Sequence, residues 1–501
     1  MCNHFYECGG CTYQTFAYTN QLKLKEQMVK ELLSQASDFE WEGILSSPSQ
    51  FRYRNKMEFT FGDYEKDGPL TLGLHRKNST HDILTIDSCA IVNPVWNKIL
   101  KYTQNFFRKY AVPHYNKRTH EGILRNLVIR ESKYDGSILV NLVTTTHMKI
   151  DENTRNIPWN EKRSETVDEL HLPEYVAGLL SLGDELPRGL DGYSSHGYGK
   201  NKKHPGHGRG VFNSLSNYCK IAGVLYTECD TLADAIIPDS VTLLYGEDYL
   251  MEEVLGLKFK ISPFSFFQTN TKGSEVLYSK AREYALEAIS EKYERENSSE
   301  DKSDKDIDNH SQEKRVGVIY DLYSGTGTIA QLMASVADKV YGIEIIEEAV
   351  EAARENARLN KLTNCEFIAG DVLKKLDELE EKPDLIILDP PRDGINPKAL
   401  MKILSYGVDN MVYISCKPTS LARDLEIFEA NGYVPVKGCC VDMFPNTQHV
   451  ETVVILSKGV VDKDNFRKVK VDFSLEDMDL TELRGKATYA QVKEYILNEF
   501  G

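Results

Sequence analysis

The chain has 501 residues, enough for two or three domains, and its 41% hydrophobic and 27% charged residues are typical of a globular protein. No apolar run approaches the roughly 18 residues of a membrane span, and the polar amino terminus does not resemble a signal peptide. A net charge of −16 argues mildly against a nucleic-acid partner, although the distribution of charge matters more than its total. Together these features predict a cytoplasmic protein that does not act at a membrane.

Three cysteines stand close together at the amino terminus. Cys2, Cys8 and Cys11 form a C-x5-C-x2-C array with two glycines between the last two. Such a loop suits a metal or a cluster, because backbone amides can also face the sulfur atoms. Cys89 is the nearest later candidate for a fourth ligand, and four thiolates could hold zinc or an iron–sulfur cluster. Free thiols at a frayed terminus are the alternative.

A basic, strand-rich region follows an amphipathic helix predicted over residues 18–34. Between Phe51 and Arg130 the chain has 14 lysines and arginines against seven acidic residues. Residues 51–62 alternate aromatic and basic side chains, which predicts a strand with one cationic face. Single-stranded RNA is bound in this way, with phosphates on Arg and Lys and bases on rings. A solvated strand face is the alternative interpretation, and residues 137–144 predict a further strand.

Two tracts interrupt the predicted elements. The strand-like runs stop over residues 151–210. The later part of this tract is rich in Gly, His and Lys, and the tract predicts a flexible surface insertion. A helix predicted over residues 278–289 is followed by a charged, serine-containing tract. That tract, residues 294–314, predicts a disordered linker.

The stretch VGVIYDLYSGTG predicts the start of a nucleotide-type core. A strand over residues 316–320 leads into a tight turn at Gly325 and Gly327, and a helix is predicted over residues 329–337. The glycines would let a ligand approach the backbone closely. Glu344 ends the next predicted strand, at the distance where a carboxylate can accept both hydroxyls of a ribose. An ordinary β–α connection is the alternative, because a glycine turn alone is weak support.

Strands and helices then alternate, which predicts a doubly wound α/β sheet closed by an antiparallel pair. The predicted strands are residues 340–344, 366–369, 384–388, 411–415, 433–442 and 450–457, with a helix over residues 347–359. Polar residues fall at the carboxyl ends of the parallel strands: Asp321, Glu344, Asp371, Asp389 and Cys416. Ligands of such sheets bind beyond these ends, so five polar residues there indicate a site.

With these residues in hand, the chain closely resembles the RNA uracil-5-methyltransferases, the S-adenosylmethionine-dependent m5U enzymes of ribosomal and transfer RNA. The resemblance runs from Cys2 to about Ser457 and is carried by the motifs C-x5-C-G-G-C, SFFQTN, DLYSGTGT, YGIE, DPPR, ISCKP and FPNTQHVE. It implies a Rossmann-like doubly wound methyltransferase domain and a β-rich central RNA-binding domain with an N-terminal iron–sulfur cluster loop. The expected boundaries are 1–240 for the loop and central domain, 241–457 for the methyltransferase domain and 458–501 for a C-terminal appendage.

The resemblance also assigns roles at matching positions. The family's nucleophile matches Cys416, and its proton-abstracting base matches Glu451. The residues that contact the methyl donor in the family match Gln268, Tyr323, Glu344 and Asp389. The cluster ligands match Cys2, Cys8, Cys11 and Cys89, which implies a [4Fe–4S] cluster rather than zinc.

The chemistry explains why these residue types are needed. Carbon 5 of uracil is a poor nucleophile until a thiolate adds to carbon 6, and a base must later remove the carbon-5 proton. Phe266 and Phe267 are candidates to stack on the extruded base, with core packing as the alternative for at least one. Lys417 replaces the family's usual Asn beside the nucleophile and could assist ionisation of Cys416, unless it simply faces solvent.

The sequence thus predicts an enzyme that methylates carbon 5 of a uridine in RNA, with S-adenosylmethionine as donor and 23S rRNA as the favoured substrate. DNA and membranes are not expected partners, and a monomer is expected. The chain begins one residue before Cys2, without the RNA-binding β-barrel that often precedes the cluster, so RNA affinity is expected from the central domain or a partner. Transfer RNA m5U methylation, RNA m5C methylation and a non-catalytic RNA-binding or RNA-folding module are the alternatives.

Overall fold

The computed structural model describes residues 2–34, 36–146, 170–183, 220–232, 235–298 and 315–459. All of these ranges fall within one compact unit, Met1–Gly459. The appendage predicted over residues 458–501 lies outside the described residues from Val460 onward. Within the described ranges, no helix has the length and apolar character required to cross a membrane. The cytoplasmic location stays a prediction.

The elements are as follows, in chain order. The strands are β1 (Glu40–Leu45), β2 (Lys56–Gly62), β3 (Thr71–His75), β4 (Ile83–Thr85), β5 (Leu124–Glu131), β6 (Ser137–Thr144), β7 (Lys220–Glu228), β8 (Ser240–Gly246), β9 (Leu250–Val254), β10 (Leu257–Ile261), β11 (Val316–Leu322), β12 (Ala337–Glu344), β13 (Cys365–Ala369), β14 (Leu385–Leu388), β15 (Asn410–Ser415), β16 (Tyr433–Val441) and β17 (Glu451–Lys458). The helices are α1 (Tyr18–Leu33), α2 (Pro94–Lys109), α3 (Leu172–Gly183), α4 (Thr271–Ser298), α5 (Thr328–Met333), α6 (Glu347–Leu359), α7 (Val372–Lys375), α8 (Pro397–Ser405) and α9 (Pro418–Ala430).

An eight-stranded sheet forms the methyltransferase half, in the order β1-β16-β17-β15-β14-β11-β12-β13. Neighbours from β13 to β15 run parallel, and β17 is antiparallel to both β15 and β16. This order confirms the predicted doubly wound sheet with its closing pair. Strand β1 was not predicted, because Gly43, with φ of +89°, interrupts any clean alternation in EWEGIL.

A seven-stranded sheet forms the central half, in the order β4-β3-β2-β5-β6-β7-β8. Its apolar face packs on α2, whose first turn is capped by the Asn93 side chain and begins with Pro94. Strand β8 pairs with β7, so this sheet continues past the boundary predicted at residue 240. The boundary between the two domains otherwise stays a prediction.

Several element boundaries differ from the predicted ones. The strand predicted over residues 51–62 begins only at Lys56. Residues 51–55 are not in a strand, because the Arg52 backbone is left-handed, with φ of +54°. Helix α5 ends at Met333 because strand β12 begins only four residues later, at Ala337. The long helix α4 continues to Ser298, so the start of the predicted disordered linker is helical, and residues 299–314 lie outside the described residues.

Part of the predicted flexible insertion is an ordered helix. Helix α3 lies inside residues 151–210 and buries Leu172, Tyr175 and Leu179 in the core of the central half. The Tyr175 hydroxyl and the Thr103 hydroxyl of α2 are hydrogen-bonded at 2.9 Å. The prediction of flexibility is therefore wrong for this segment, and the rest of the insertion up to residue 210 lies outside the described residues.

Candidate active site

One cavity of about 1910 Å³ runs between the carboxyl edge of the eight-stranded sheet and the central sheet. Every predicted site residue lines it: Cys2, Cys8, Cys11, Cys89, Gln268, Tyr323, Glu344, Asp389, Cys416 and Glu451. These residues come from parts of the chain up to several hundred positions apart. The structure therefore brings together the predicted nucleophile, base, donor contacts and cysteine array, while their individual roles stay predictions.

The glycine turn after β11 shapes one end of the cavity. Tyr323 and Gly325 are both left-handed, with φ of +67° and +53°, and the Gly325 N–H donates to Glu344 Oε2 at 2.9 Å. A side chain at Gly327 would meet the Phe367 ring at 2.5 Å, so only glycine fits there. The turn thereby fixes the Glu344 carboxylate at the end of β12, facing the cavity.

The segment after β10 runs from the central half to the end of the cavity that the glycine turn shapes. The Asn55 amide donates to Gln268 O at 3.0 Å and to Thr271 Oγ1 at 2.8 Å, which ties this segment to the start of β2. The Gln268 side chain hydrogen-bonds Tyr278, a buried residue of α4. Gln268 is thus held from both halves of the molecule, with its side chain at the cavity wall.

The two phenylalanines before Gln268 have different environments. Phe267 is only 6% exposed and packs on the Phe259 ring at 5.8 Å between centroids. Phe266 is 69% exposed and lines the cavity, and its backbone carbonyl accepts a hydrogen bond from Thr326 Oγ1 at 3.2 Å. Core packing accounts for Phe267, so Phe266 alone of the pair can stack on a base.

The candidate nucleophile and base face each other across two neighbouring strands. The register of the antiparallel pair β15 and β17 sets Ser415 opposite Thr452. Cys416 directly follows Ser415 and Glu451 directly precedes Thr452, and the two are close enough for the Glu451 charge to raise the pKa of the Cys416 thiol. Asp389 follows β14, the parallel neighbour of β15, so its carboxyl group lies on the same edge.

Burial dominates the electrostatics of this edge. It raises the pKa of Asp389 to about 7. Burial and, next, the Asp389 charge raise the pKa of Glu451 to about 8. For Cys416, burial and the charges of Glu451 and Asp389 raise the thiol pKa to about 11. A negative charge on any of these three groups is therefore disfavoured until a cation comes near.

Arg392 is the cation that opposes these shifts, and sequence reasoning missed it. Its guanidinium lowers the pKa of both Cys416 and Glu451 against the larger effect of burial. Lys417, the residue predicted to assist the thiol, is exposed and its Nζ lies 3.9 Å from Asp393 Oδ1. The last residue of the DPPR motif was the available signal, because it follows the strand-end Asp389.

Two of the five strand-end residues lie away from the cavity. Asp321 is completely buried, and its carboxylate accepts a hydrogen bond from the Ala330 N–H at 2.9 Å. Asp371 caps the short helix α7 by accepting from the Leu373 N–H at 2.9 Å. Both residues shape the edge of the sheet, but neither lines the cavity.

The loop that carries Glu451 is held by helix α1. The Lys25 ammonium donates to Asp442 Oδ1 at 2.6 Å, both side chains are fully buried, and the ammonium also donates to Phe444 O at 3.0 Å. The Asn446 N–H donates to Gln21 Oε1 at 2.8 Å. A buried charge pair and a side-chain bond thus join α1 to the FPNTQHVE segment.

The cysteine loop is attached to the same segment. The backbone N–H groups of Thr12 and Tyr13 both donate to Asn446 O at 2.9 Å. On its other side the Gly9 N–H donates to His75 O at 3.1 Å, which connects the loop to β3. The loop therefore bridges the central sheet and the segment that carries the candidate base.

The four predicted cluster cysteines meet at one end of the cavity. Every pair among them is near enough for a charge on one sulfur to raise the pKa of another, although burial is the largest cause of the raised values. The pKa is raised to about 12 for Cys11 and to about 11 for Cys89. The Gly10 N–H donates to Cys8 Sγ at 3.3 Å. Cys8 is buried and the other three are partly buried. Four close sulfur atoms whose thiolates would repel one another, with an amide donating to one of them, are chemically suited to a cationic iron–sulfur core.

Within the described ranges, no three or more His, Cys, Asp or Glu side chains are arranged to hold a metal ion. The cluster therefore stays a prediction that rests on the donor set and on the convergence of the thiols.

The cationic face predicted over residues 51–62 is only partly as expected. Phe59 and Phe61 are buried in the core of the central half, so these rings are not available to RNA bases. Arg54 and Lys56, by contrast, line the cavity, as does Arg130 of the neighbouring strand β5. Two of the basic residues in the predicted pattern therefore face the site, whereas Phe59 and Phe61 build the core and Phe51 is exposed.

Comparison with known proteins agrees with this fold. Residues 313–454 match a family model described as a methyltransferase domain. A solved structure, the Pyrococcus abyssi tRNA (uracil-54, C5)-methyltransferase in complex with S-adenosyl-L-homocysteine, superposes with a TM-score of 0.59 at 23% identity, over 90% of this chain and 86% of that one. The fold is that of an S-adenosylmethionine-type methyltransferase.

Proteins similar in sequence show which kind of methyltransferase this is. An uncharacterized RNA methyltransferase of Caldanaerobacter subterraneus is 42% identical over 91% of this chain and 84% of its own length. Another, from Clostridium tetani, is 41% identical over 91% of this chain and 83% of its own length. The chain belongs to this family of RNA methyltransferases.

Proposed function

We propose that this protein methylates carbon 5 of a uridine in RNA, with S-adenosylmethionine as the methyl donor. The observation that carries the proposal is the placement of Cys416 and Glu451 at the adjoining ends of the paired strands β15 and β17, in the cavity that also holds the predicted donor residues. Methylation of a nitrogen or a ribose oxygen requires no thiol. Substitution at carbon 5 requires a thiol and a base close together.

The reaction follows from these two groups. The Cys416 thiolate forms a bond to carbon 6 of uracil, and the electron pair of the ring double bond moves to give an enolate. Carbon 5 would then attack the methyl group of the donor, with cleavage of the bond from the methyl carbon to sulfur and S-adenosylhomocysteine as the leaving group. Glu451 removes the carbon-5 proton, the double bond re-forms and the thiolate leaves. Cys416 is regenerated, and the proton resides on Glu451 until it passes to solvent.

The acidic edge suits this donor. Asp389 and Glu451 are buried carboxyl groups, and burial makes their ionisation unfavourable in the absence of a bound cation. The sulfonium of the donor is a cation, and a cation near a buried carboxyl group favours its charged form. Donor binding at Asp389 and Glu344 would therefore favour deprotonation of Glu451, the state in which it acts as a base.

The RNA substrate is proposed to lie over the central sheet and to extrude one base toward Cys416. Arg54 and Lys56 at the cavity wall support phosphate binding, and exposed Phe266 supports base stacking. The cysteine array favours 23S rRNA as the substrate. The second candidate is transfer RNA, because the solved neighbour is named a tRNA (uracil-54, C5)-methyltransferase. We expect the protein to act as a monomer.

We further propose a [4Fe–4S] cluster on Cys2, Cys8, Cys11 and Cys89. Its iron would neutralise four enclosed thiolates and fix the loop that contacts Asn446, next to the segment carrying Glu451. Methyl transfer requires no electron transfer, so the cluster's part would be structural. Protein purified without oxygen should be brown and contain about four irons per chain; colourless, iron-free protein would contradict the proposal.

The activity is tested with labelled S-adenosylmethionine and two RNAs, unmodified 23S rRNA and unmodified transfer RNA, followed by digestion to nucleosides. Label in 5-methyluridine supports the proposal, and the RNA that carries it identifies the substrate. Label in 5-methylcytidine would instead indicate the related cytosine chemistry. Absence of label from both RNAs, with protein that binds the donor, would favour a non-catalytic RNA-binding module.

A further inference from the structure

Arg130 is a buried guanidinium with unused hydrogen-bonding capacity. It is 4% exposed, and its Nη2 donates to Ser265 O at 2.7 Å. Within the part of the chain that the structure describes, its Nε and Nη1 have no hydrogen-bond partner. A buried donor without a partner is costly, and a charged one more so. Such a group indicates a ligand that the protein alone does not contain.

A second cation faces it across the sheet. Lys56 of β2 and Arg130 of β5 are direct antiparallel partners, so their side chains project from the same face. Like charges in this position destabilise a sheet. Glu58 offsets part of the repulsion, because its carboxylate lies 2.9 Å from the Lys56 ammonium. Glu58 and Glu252 also attract the Arg130 guanidinium, whereas Arg54 adds a further positive charge near Lys56.

The two cations lie at the wall of the large cavity. Both Lys56 and Arg130 line the cavity that holds Cys416. A second cavity that Arg130 lines has about 10 Å³, room for at most one water. The large cavity, which exposed Phe266 also lines, therefore offers the space for a larger anion to reach Arg130.

We propose that Arg130 and Lys56 form a phosphate-binding subsite that holds one phosphodiester of the RNA strand beside the extruded nucleotide. The inference rests on the proposed function and adds to it the atoms that hold the strand. A guanidinium matches two phosphate oxygens with parallel N–H donors, which an ammonium cannot do. Ser265 O holds one nitrogen, and the two nitrogens without a partner are left for an anion that enters from the cavity that Arg130 lines. Lys56, on the neighbouring strand, would approach the same anion.

This role predicts opposite effects on stability and on RNA binding. A guanidinium needed only for folding would lower the thermal midpoint when it is removed. A guanidinium kept for a phosphate burdens the free protein, so its loss should leave the midpoint unchanged or raise it. RNA affinity should fall at the same time.

The test compares Arg130→Met with the matched control Arg125→Met. Arg125 stands on the same strand and is also buried, but its guanidinium donates to Cys229 O and Thr231 O at 2.6 and 2.7 Å. Affinities for unmodified 23S rRNA and transfer RNA transcripts are measured by filter binding at several salt concentrations without donor. Thermal midpoints and affinity for S-adenosylmethionine are measured in parallel.

For Arg130→Met we expect RNA binding to weaken roughly 10- to 100-fold and the salt slope to shrink by about 0.7. The midpoint should not fall, and donor affinity should stay within about twofold. For Arg125→Met we expect a lower midpoint with unchanged RNA affinity of the folded protein. Arg130→Lys should recover part of the RNA affinity, since it restores the charge without the fork.

Two results would overturn the inference. A lower midpoint with unchanged RNA affinity for Arg130→Met would make the guanidinium structural. Weaker binding of the donor with unchanged RNA affinity would assign the anion to the donor's carboxylate. If Arg130→Met does not fold, Lys56→Met takes its place, with a loss of RNA affinity supporting the subsite and unchanged affinity contradicting it. The uridine chemistry is judged separately, by nucleoside analysis of the wild-type product, so the two proposals fail independently.

Discussion

The two sides of the catalytic cavity are charged in opposite ways. On the side of the eight-stranded sheet, enclosed carboxyl groups such as Asp389 and Glu451 have raised pKa values because burial disfavours their charge. On the side of the central sheet, Lys56 and Arg130 have lowered pKa values, and burial is again the largest cause. Each side is therefore less stable alone than with a ligand of opposite charge.

This difference in charge indicates which kind of ligand each side can bind. A methyl donor with a sulfonium cation suits the acidic side, and a polyanionic RNA strand suits the basic side. Cys416 and Phe266 both line the cavity, where a base attached to the strand could meet the methyl group. Burial of unpaired charge is costly on both sides. Each side would therefore select a ligand of opposite charge, and the bound donor and RNA would together relieve both costs.

The largest expected effect separates chemistry from RNA binding. Cys416→Ser should lower methyl transfer by roughly 10³-fold or more, because the covalent route is lost. RNA affinity should stay within about twofold, since the basic side is untouched. The matched control is Cys365→Ser, a partly buried cysteine that does not line the cavity. Activity of Cys416→Ser within tenfold of wild type would show that the thiol is not the nucleophile.

A second variant tests how the base is held between the two sides. Lys25→Met leaves Asp442 buried without its partner, so the free energy of unfolding should fall by about 3–5 kcal/mol. The control Lys30→Met breaks a half-exposed ion pair with Glu26 on the same helix and should cost less than about 1 kcal/mol. Urea unfolding of both variants provides the comparison. Equal losses would mean that the buried pair does not anchor the Glu451 segment.

The pH dependence tests the acidic side alone. Glu451 acts as a base only without its proton, and Cys416 attacks only as the thiolate. Their pKa values are raised to about 8 and about 11, so kcat/KM should rise by roughly tenfold or more per pH unit below about pH 7 and continue to rise above pH 8. Arg392→Gln removes the cation that lowers the pKa of Glu451 and Cys416, which should move this rise to higher pH. Lys417→Asn should leave it in place. A rate that is flat or falling over this range would contradict the assignment.

The last pair of variants concerns the junction of the two sides. Phe266→Ala should weaken RNA binding by roughly 5- to 150-fold, the range for loss of one base-stacking ring. Phe267→Ala should instead lower the free energy of unfolding by about 3–5 kcal/mol, because it leaves a void against Phe259. Filter binding and urea unfolding of both variants separate the two roles. Interchanged results would place the stacking ring at Phe267.

The acidic side could be predicted from sequence, because its residues follow strands. Glu344, Asp389 and Cys416 each come directly after a buried apolar run, and parallel strands bring such ends to one edge. The same rule wrongly included Asp321 and Asp371, since position at a strand end does not say whether a side chain faces the cavity or a neighbouring N–H group.

The basic side was less accessible to sequence reasoning. Alternation in residues 51–62 predicts a strand with a cationic face, but it does not say that the phenylalanines form the core. The pairing of Lys56 with Arg130 depends on the register between β2 and β5, which are separated by helix α2. The attachment of α1 to Asp442 and Asn446 joins residues more than 400 positions apart and leaves no local pattern.

One experiment tests the central claim most directly. Glu451→Gln keeps the thiol but cannot remove the carbon-5 proton, so the reaction should stop after methyl transfer. With labelled S-adenosylmethionine and the 23S and transfer RNAs, we predict a methyl-labelled covalent protein–RNA complex on denaturing gels. Changing Cys416 to Ser in the same protein should abolish it. Methylated RNA released without any covalent complex, at the wild-type rate, would contradict the proposed mechanism.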